Sequence, residues 1–596
     1  MTQKLPDWDL SDLYKNDKEA EEALKVLEST SQKFNQLYKG NLEKIPAADF
    51  YKSLMMYNDI IDMEFKIYDY AFFQKQVDQN NEKISTFFQS IVEFIQGKIT
   101  PLLVFYQLEL GQLSDAKTAS FLADDKVAFF KPFIHEVQKF KPYNLSEEMS
   151  IFNSDLQLTG SRAWHKVYSE TIASIRIEME GQTLSMTETT NIANNDPSAE
   201  KRLKAGGLIA EALNKNAVLI ASVFNNIAKE KETQDKWHKM PTMMSDRNLS
   251  NNVAQEVVDA LVSSVKAGYP IAHRYYKLKA KWMGKEKLHY WDRNATLDIG
   301  GGEKKYTWEE AVQIVSDAYK RFSPDFFAVA ENFFKNNWID VGAKKGKRGG
   351  AFAASVCASV HPYLLLNFMG KSDDIKTLAH ELGHGVHQML SREQTNLMMD
   401  TPLTIAETAS IFGEAVTFDY LFENEKDPLE RFKMLIGRIE DALNTSFRQI
   451  AFHEFEVAYH TERREKGELS KTRLDELYAK TQKEVLGDHV IVDETAAPIW
   501  GYISHFVGSP FYVYAYAFGY CLVNSLYKTY QEGTVLDFEE KYMDMLRQGG
   551  SKGHKELFAP FGLDTASPDF WKKGMDVLSE MVGTAEKLAK EIGLDK

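Results

Sequence analysis

Between about residues 17 and 140 apolar side chains return every three or four positions, as in EALKVLESTSQKFNQLY and KISTFFQSIVEFIQGKITPLLVFYQLEL. That period sets them on one stripe of a 3.6-residue helix and predicts amphipathic helices joined by short loops. Across 141–200 the pattern changes. LTGSRAWHKVYSETIASIRIEMEGQTLSM has alternating stretches and a glycine turn, which predict a small hairpin near 173–186. NIANNDPSAEKRLKAG then reads as a loop and a helix start, because Asp196 precedes Pro197 and a charged, helix-favouring run. A soft boundary falls there, between an N-terminal helical lobe over 1–195 and a larger domain over 196–596.

Further along, GAKKGKRGGAFAASVCASVHPYLLLNFMGKSDD opens with glycines and basic residues that predict a turn, and VHPYLLLNF predicts a strand. Proline cannot donate a ladder hydrogen bond, so Pro362 points to an edge strand around His361 to Phe368. An exposed edge can take a peptide as an added strand, or simply finish a small sheet. The remainder to residue 596 is again mostly helical, with no repeat or low-complexity tract. The fold class expected is mainly α.

Hydrophobic residues at 44% indicate a folded globular chain of several domains or two cooperating lobes. Lys plus Arg number 71 against 86 Asp plus Glu, a net charge of −15, which repels phosphates and anionic lipids. Nucleic acid and membrane surfaces are therefore excluded as expected partners. Two cysteines, Cys357 and Cys521, cannot build a disulfide framework and fit a reducing compartment. MTQKLPDWDLSDLYKND has no apolar core of a secretory signal, and the apolar run FYVYAYAFGYCLV is shorter than the roughly 18 residues that span a bilayer. A cytoplasmic location is the expectation.

The chemistry concentrates in GKSDDIKTLAHELGHGVHQML. A turn glycine, a cap at Ser372 and acids at Asp373 and Asp374 predict a helix from about 373 to 390. His380 and His384, four apart, lie one above the other and can present two imidazole nitrogens to one ion. Glu381 points beside that ion, where a carboxylate can take a proton from water. Gly383 and Gly385 each disfavour a helix by about 1 kcal/mol relative to Ala, so a close approach by a substrate or another backbone is expected there.

A catalytic zinc site usually has three protein ligands and an open position. The metzincin arrangement needs a His six residues beyond His384, and residue 390 is Leu. His387 shares the helical face but is poorly placed to bind the same ion, so a supporting or substrate role is expected. TPLTIAETASIFGEAVTFDYLF offers Glu407 and Glu414, seven apart on a second helix beginning after Pro402. Glu407 can reach the metal, leaving Glu414 either to orient a histidine through its other ring nitrogen or to stand as a solvated charge.

At these residues the chain resembles the oligoendopeptidase F branch of the thimet oligopeptidase-like zinc metallopeptidases. HELGHGVHQ is similar to the family's HExGHxxHQ signature, and AETASIFGE to the segment carrying its third ligand. The resemblance implies one Zn2+ per chain on His380, His384 and Glu407, Glu381 as general base, Glu414 supporting a ligand, and a catalytic domain over 196–596. GYISHFVGSPFYVYAYAFGY resembles the segment whose His and Tyr contact the scissile carbonyl, which makes His505, Tyr512 and Tyr516 catalytic candidates. With a helix starting near Phe511, Tyr512, Tyr516 and Tyr520 share a face and Tyr514 points elsewhere. Extra residues around Ser509 and Pro510 shift the His-to-Tyr spacing from the thimet-type pattern. The resemblance further implies two helical lobes enclosing a deep channel, with a small sheet beside a zincin-type active site. His361, Tyr363 and Gly350 are then the substrate-binding candidates.

The function expected is hydrolysis of internal peptide bonds in short unstructured peptides. A metallocarboxypeptidase-type exopeptidase and a peptide-binding helical scaffold with structural zinc are the alternatives. A closed structural site normally fills four positions with protein ligands, and only three are found here. Cleavage preference, the physiological peptide and the oligomeric state are not encoded in these motifs.

Overall fold

A computed structural model describes residues 5–300 and 304–594. Helix makes up 70% and strand 4%, so the fold is mainly α as the periodicity predicts. The chain divides into two compact units, each assembled from three segments. The first contains Met1–Pro142, Glu303–Asn424 and Gly533–Leu563; the second contains Tyr143–Gly302, Glu425–Glu532 and Asp564–Lys596. Among the described residues no single helix is long and apolar enough to cross a membrane.

In the first unit, helices Asp17–Tyr38, Ala47–Val77 and Thr100–Gln112 bury Leu27, Phe34, Phe50, Leu54, Tyr106 and Leu110 against one another. The first starts where the Asn16 side chain accepts the Glu19 N–H, satisfying a donor the helix leaves unpaired. The same unit carries a three-stranded sheet in which Tyr363–Phe368 is central, parallel to Ile339–Gly342 and antiparallel to Phe352–Ala354. This corrects the expected edge strand. Pro362 lies just before the first paired residue and removes no ladder donor, and the continuous run YLLLNF is the mark of a strand covered on both faces. Ile339–Gly342 and Phe352–Ala354 are the two edge strands.

The second unit contains the expected hairpin, Arg176–Met179 paired with Gln182–Ser185. Its turn uses positive φ at both Glu180 (54°) and Gly181 (79°), the type I′ geometry that matches strand twist. The position 195/196 lies inside this unit. Helices Met186–Asn195 and Ala199–Lys215 pack on each other across it. The buried Arg202 guanidinium donates to Asp196 O at 2.7 Å and Pro197 O at 2.9 Å, so Asp196–Pro197 is a clamped turn between helices. Around Phe224, Trp500 and Phe506, helix Arg448–Lys466 forms the centre of this unit's aromatic core.

Candidate metal centre

Helix Ser372–Ser391 starts one residue earlier than the sequence predicts, with Ser372 inside it and Lys371 at the cap position. Asp374 does the capping work: its Oδ2 accepts the N–H groups of Met369 at 2.7 Å and Lys371 at 2.8 Å. The second element is interrupted. A short helix Leu403–Ala406 ends at Glu407, and Thr408–Asn424 follows. Glu407 therefore sits at a helix junction, from which its side chain reaches the histidines.

The two longer helices touch backbone to backbone. A Cβ added at Gly383 would lie 2.4 Å from Ala409 O and 2.7 Å from Ser410 Cα. One added at Gly385 would meet the Phe333 ring at 2.7 Å. The close approach that the paired glycines predict thus comes from the neighbouring helix and from a core phenylalanine. On the far side of the contact, the Tyr319 hydroxyl donates to Ala379 O at 2.5 Å, the turn preceding His380.

Three ligand atoms converge there. His380 Nε2 and His384 Nε2 are 3.2 Å apart, and each is 3.4 Å from Glu407 Oε2. Donors about 2.0–2.1 Å from a tetrahedral ion lie about 3.3 Å from one another, so the spacing fits a divalent cation with nitrogen and oxygen ligands. Among the described residues this is the only group of His, Cys, Asp or Glu so arranged. Glu414 Oε1 is 2.6 Å from His380 Nδ1, which holds that nitrogen protonated and leaves Nε2 free for the ion. Ser410 Oγ donates to Glu407 Oε2 at 2.7 Å. The sequence reading missed both Ser410 and Tyr319; Ser410, one turn beyond a ligand, was open to recognition from spacing, whereas Tyr319 carries no local signal.

The electrostatics suit the same roles. Burial raises the Glu407 carboxyl, but His384, His380 and Ser410 more than offset it and hold it at about 2. Burial opposes charge on His380, yet Glu414 and the other carboxylates raise its pKa. Glu381, 7% exposed, is raised chiefly by burial, with His380 and His384 opposing. Burial, with His384 nearby, pushes His387 down to about 3, so it is a neutral imidazole. Glu381, His384 and His387 line a cavity of about 390 Å³ whose wall includes Ala351 and, from the strand Phe352–Ala354, Phe352 and Ala353.

Two of the substrate-binding candidates face the other way. His361 stacks on Trp338 at 3.8 Å with Nε2 3.1 Å from Asp12 Oδ2, and the Tyr363 hydroxyl donates to Asp9 O at 3.0 Å. Both are buried: Tyr363 opens the central strand and His361 stands two residues before it, and the contacts they make are with the core. Gly350 is exposed at φ 78°, in the turn leading to the strand Phe352–Ala354, and its carbonyl accepts from Asn367 Nδ2 at 2.7 Å.

His505, Tyr512 and Tyr516 belong to the second unit. His505 Nε2 is 3.2 Å from the Tyr516 hydroxyl, and the Tyr512 and Tyr516 ring centres are 5.3 Å apart. The helix begins at Tyr514, three residues later than predicted, because Phe511 takes a left-handed φ of 58° and breaks the helical run. Tyr514 does point elsewhere, into a buried pair of bonds with Asn248 and Asn251, both 2.8 Å.

A histidine pair one turn apart, a carboxylate from the adjoining helix and a buried glutamate beside them make a donor set of the kind metal-dependent hydrolases use. A family model described as Peptidase family M3 matches residues 193–577, and one described as Oligopeptidase F matches 109–177. The chain belongs to peptidase family M3 and is a metalloendopeptidase. It is 24% identical over 596 residues to Oligopeptidase PepF of Bacillus subtilis strain 168, covering 98% of this chain and 87% of that protein. It is 28% identical over 556 residues to an oligoendopeptidase F homolog of Borreliella burgdorferi, covering 91% and 92%. The crystal structure of oligoendopeptidase-F from Enterococcus faecium superposes with a TM-score of 0.70 at 22% identity, covering 96% of this chain and 99% of that one.

Proposed function

We propose that this protein is a zinc-dependent oligoendopeptidase that hydrolyses internal peptide bonds of short unstructured peptides, with Glu381 as general base. The observation that carries the reading is the convergence of His380, His384 and Glu407 on one point with Glu381 beside them in an accessible cavity. His380, His384 and Glu407 would hold one zinc ion, for which a nitrogen and oxygen donor set is well suited. When bound, zinc supplies a Lewis acid that polarises a carbonyl and lowers the pKa of water to about 7.

The remaining work falls to the chain. Glu414 fixes the tautomer and plane of the His380 ring. Glu381 takes a proton from the attacking water onto its carboxylate and delivers it to the leaving amine. Its burial makes proton acceptance easier than for an exposed glutamate, since the neutral acid is the better-solvated form there. The edge strand Phe352–Ala354 offers backbone groups to an extended peptide along the cavity wall. The likeness of GYISHFVGSPFYVY to the family's His and Tyr segment supports reading His505, with Tyr512 or Tyr516, as hydrogen-bond donors to a peptide carbonyl.

The reading is tested with a quenched peptide blocked at both ends, offered to the protein with chelator, with chelator followed by zinc, and to Glu381→Gln. Cleavage lost with chelator, restored by zinc, and absent in a Glu381→Gln protein that still contains zinc is the expected pattern. Failure to cut the blocked peptide while releasing terminal residues from a free one would assign an exopeptidase.

A further inference from the structure

Helix Arg448–Lys466 carries an acid in a place where packing alone selects an apolar side chain. Glu456 is 0% exposed, in the stretch HEFEVAYH, and its Oε1 accepts the Phe511 backbone N–H at 2.7 Å. Its Oε2 is buried with no hydrogen-bond partner. Phe511 is the left-handed residue of the loop between the short helix His505–Gly508 and helix Tyr514–Glu532. An L-residue with a bulky ring holds that conformation only when its surroundings impose it.

Three further side chains pack against this loop. His460, one turn beyond Glu456, sets its ring 4.7 Å from that of Phe511, and His453, one turn before, lies 5.8 Å from Tyr514. From the opposite side Arg247 donates through Nε to Pro510 O at 3.3 Å and places its guanidinium 5.6 Å from the Tyr512 ring centre. Glu456 alone among these grips the main chain of the strained residue itself. The next residue is Tyr512, and Tyr516 follows within one turn, so the φ of Phe511 sets where both rings stand relative to His505.

We propose that Glu456 is a positioning residue for peptide hydrolysis: by accepting the Phe511 N–H it locks the left-handed turn that presents Tyr512 and Tyr516 beside His505. The proposal rests on the reading of His505 and these tyrosines as donors to the substrate carbonyl. Burial pushes the Glu456 acid up to about 8, against the Phe511 N–H, Arg247 and Lys231, so at neutral pH the group is an uncharged acceptor that glutamine can copy.

The test is a double-mutant cycle on the zinc-loaded full chain with a blocked fluorogenic peptide. Glu456→Leu is expected to lower kcat about 100-fold, the scale of an ångström-sized misplacement of reacting groups, with little change in KM. Glu456→Gln is expected to stay within about threefold of wild type. In a background carrying Tyr512→Phe and Tyr516→Phe, the Glu456→Leu change is expected to cost less than about threefold, because both its targets are already gone. Wild-type kcat in folded Glu456→Leu, a loss that multiplies in full with the paired Tyr512→Phe and Tyr516→Phe changes, or no rescue by glutamine overturns the proposal. Where leucine prevents folding, Glu456→Ala, which leaves room for water, takes its place in the cycle. Wild-type kcat in both Tyr516→Phe and His505→Ala identifies instead a failure of the underlying reading, and the proposal falls with it.

Discussion

Replacing Gly383 with alanine puts a methyl carbon 2.4 Å from Ala409 O, where ordinary van der Waals contact begins at 3.4 Å. The obstacle is backbone, and no side chain can rotate away. The helix bearing His380 and His384 must therefore move by about 1 Å from the one that follows Glu407, whereas ligand positions in a working metal site are set to about 0.2 Å. The Glu407 oxygen now 3.4 Å from both imidazole nitrogens would leave the shared ligand position. Overpacking of this kind costs about 1–3 kcal/mol of stability, so the fold survives while the site does not. Zinc affinity, measured by competition with a chromophoric chelator, should fall at least about 10-fold, and activity at limiting zinc should fall with it. The thermal midpoint of the metal-free protein should drop by only a few degrees. Unchanged affinity in a folded Gly383→Ala protein would refute the claim that the spacing of these two helices sets the ligand geometry.

Other residues give separable outcomes. Glu414→Gln should weaken zinc binding about 10- to 100-fold, because the His380 ring loses the carboxylate that fixes its tautomer; chelator competition reads this directly. Glu456 has a folded-state pKa of about 8, above its unfolded value, so the folded form keeps a proton that the unfolded form loses. Its contribution is fully present below the unfolded carboxylate pKa and is lost as pH rises toward 8. The denaturation midpoint of wild type measured against Glu456→Gln should accordingly fall across pH 5 to 8 and level off above it. Offered an intact folded protein and its peptide digest side by side, the enzyme should consume the digest and leave the folded protein uncut, as read by mass spectrometry.

The grouping of His380, His384 and Glu407 was legible because its residues are close in sequence. HELGH places two imidazoles and a carboxylate within five residues, and Glu407 and Glu414 follow in the next element, although the helix break at Glu407 carried no signal. Strand order was not legible: VHPYLLLNF contains a proline, and only the ladder shows that Pro362 stands outside it. The buried run of leucines was the better signal. His361 and Tyr363 looked available for the same reason, and their partners, Trp338, Asp12 and Asp9, lie in distant parts of the chain. The start of the tyrosine helix was misplaced by a backbone choice at Phe511 that nothing in GSPFYVY announces. Glu456, which holds that choice, is 55 residues away. What could have drawn attention to it is an acid one turn from Phe452 and Tyr459 on a helical face made otherwise of aromatic and histidine rings, a position that asks for a hidden partner. Domain organisation was least accessible, since each unit is built from three separate segments.

The central claim is that His380, His384 and Glu407 together grip one divalent cation. Elemental analysis of purified wild type, His384→Ala and Glu407→Ala after equilibration with buffered zinc tests it most directly. The account predicts about one zinc per wild-type chain and almost none in either variant, with all three proteins folded by circular dichroism. Full zinc occupancy in either folded variant would contradict it.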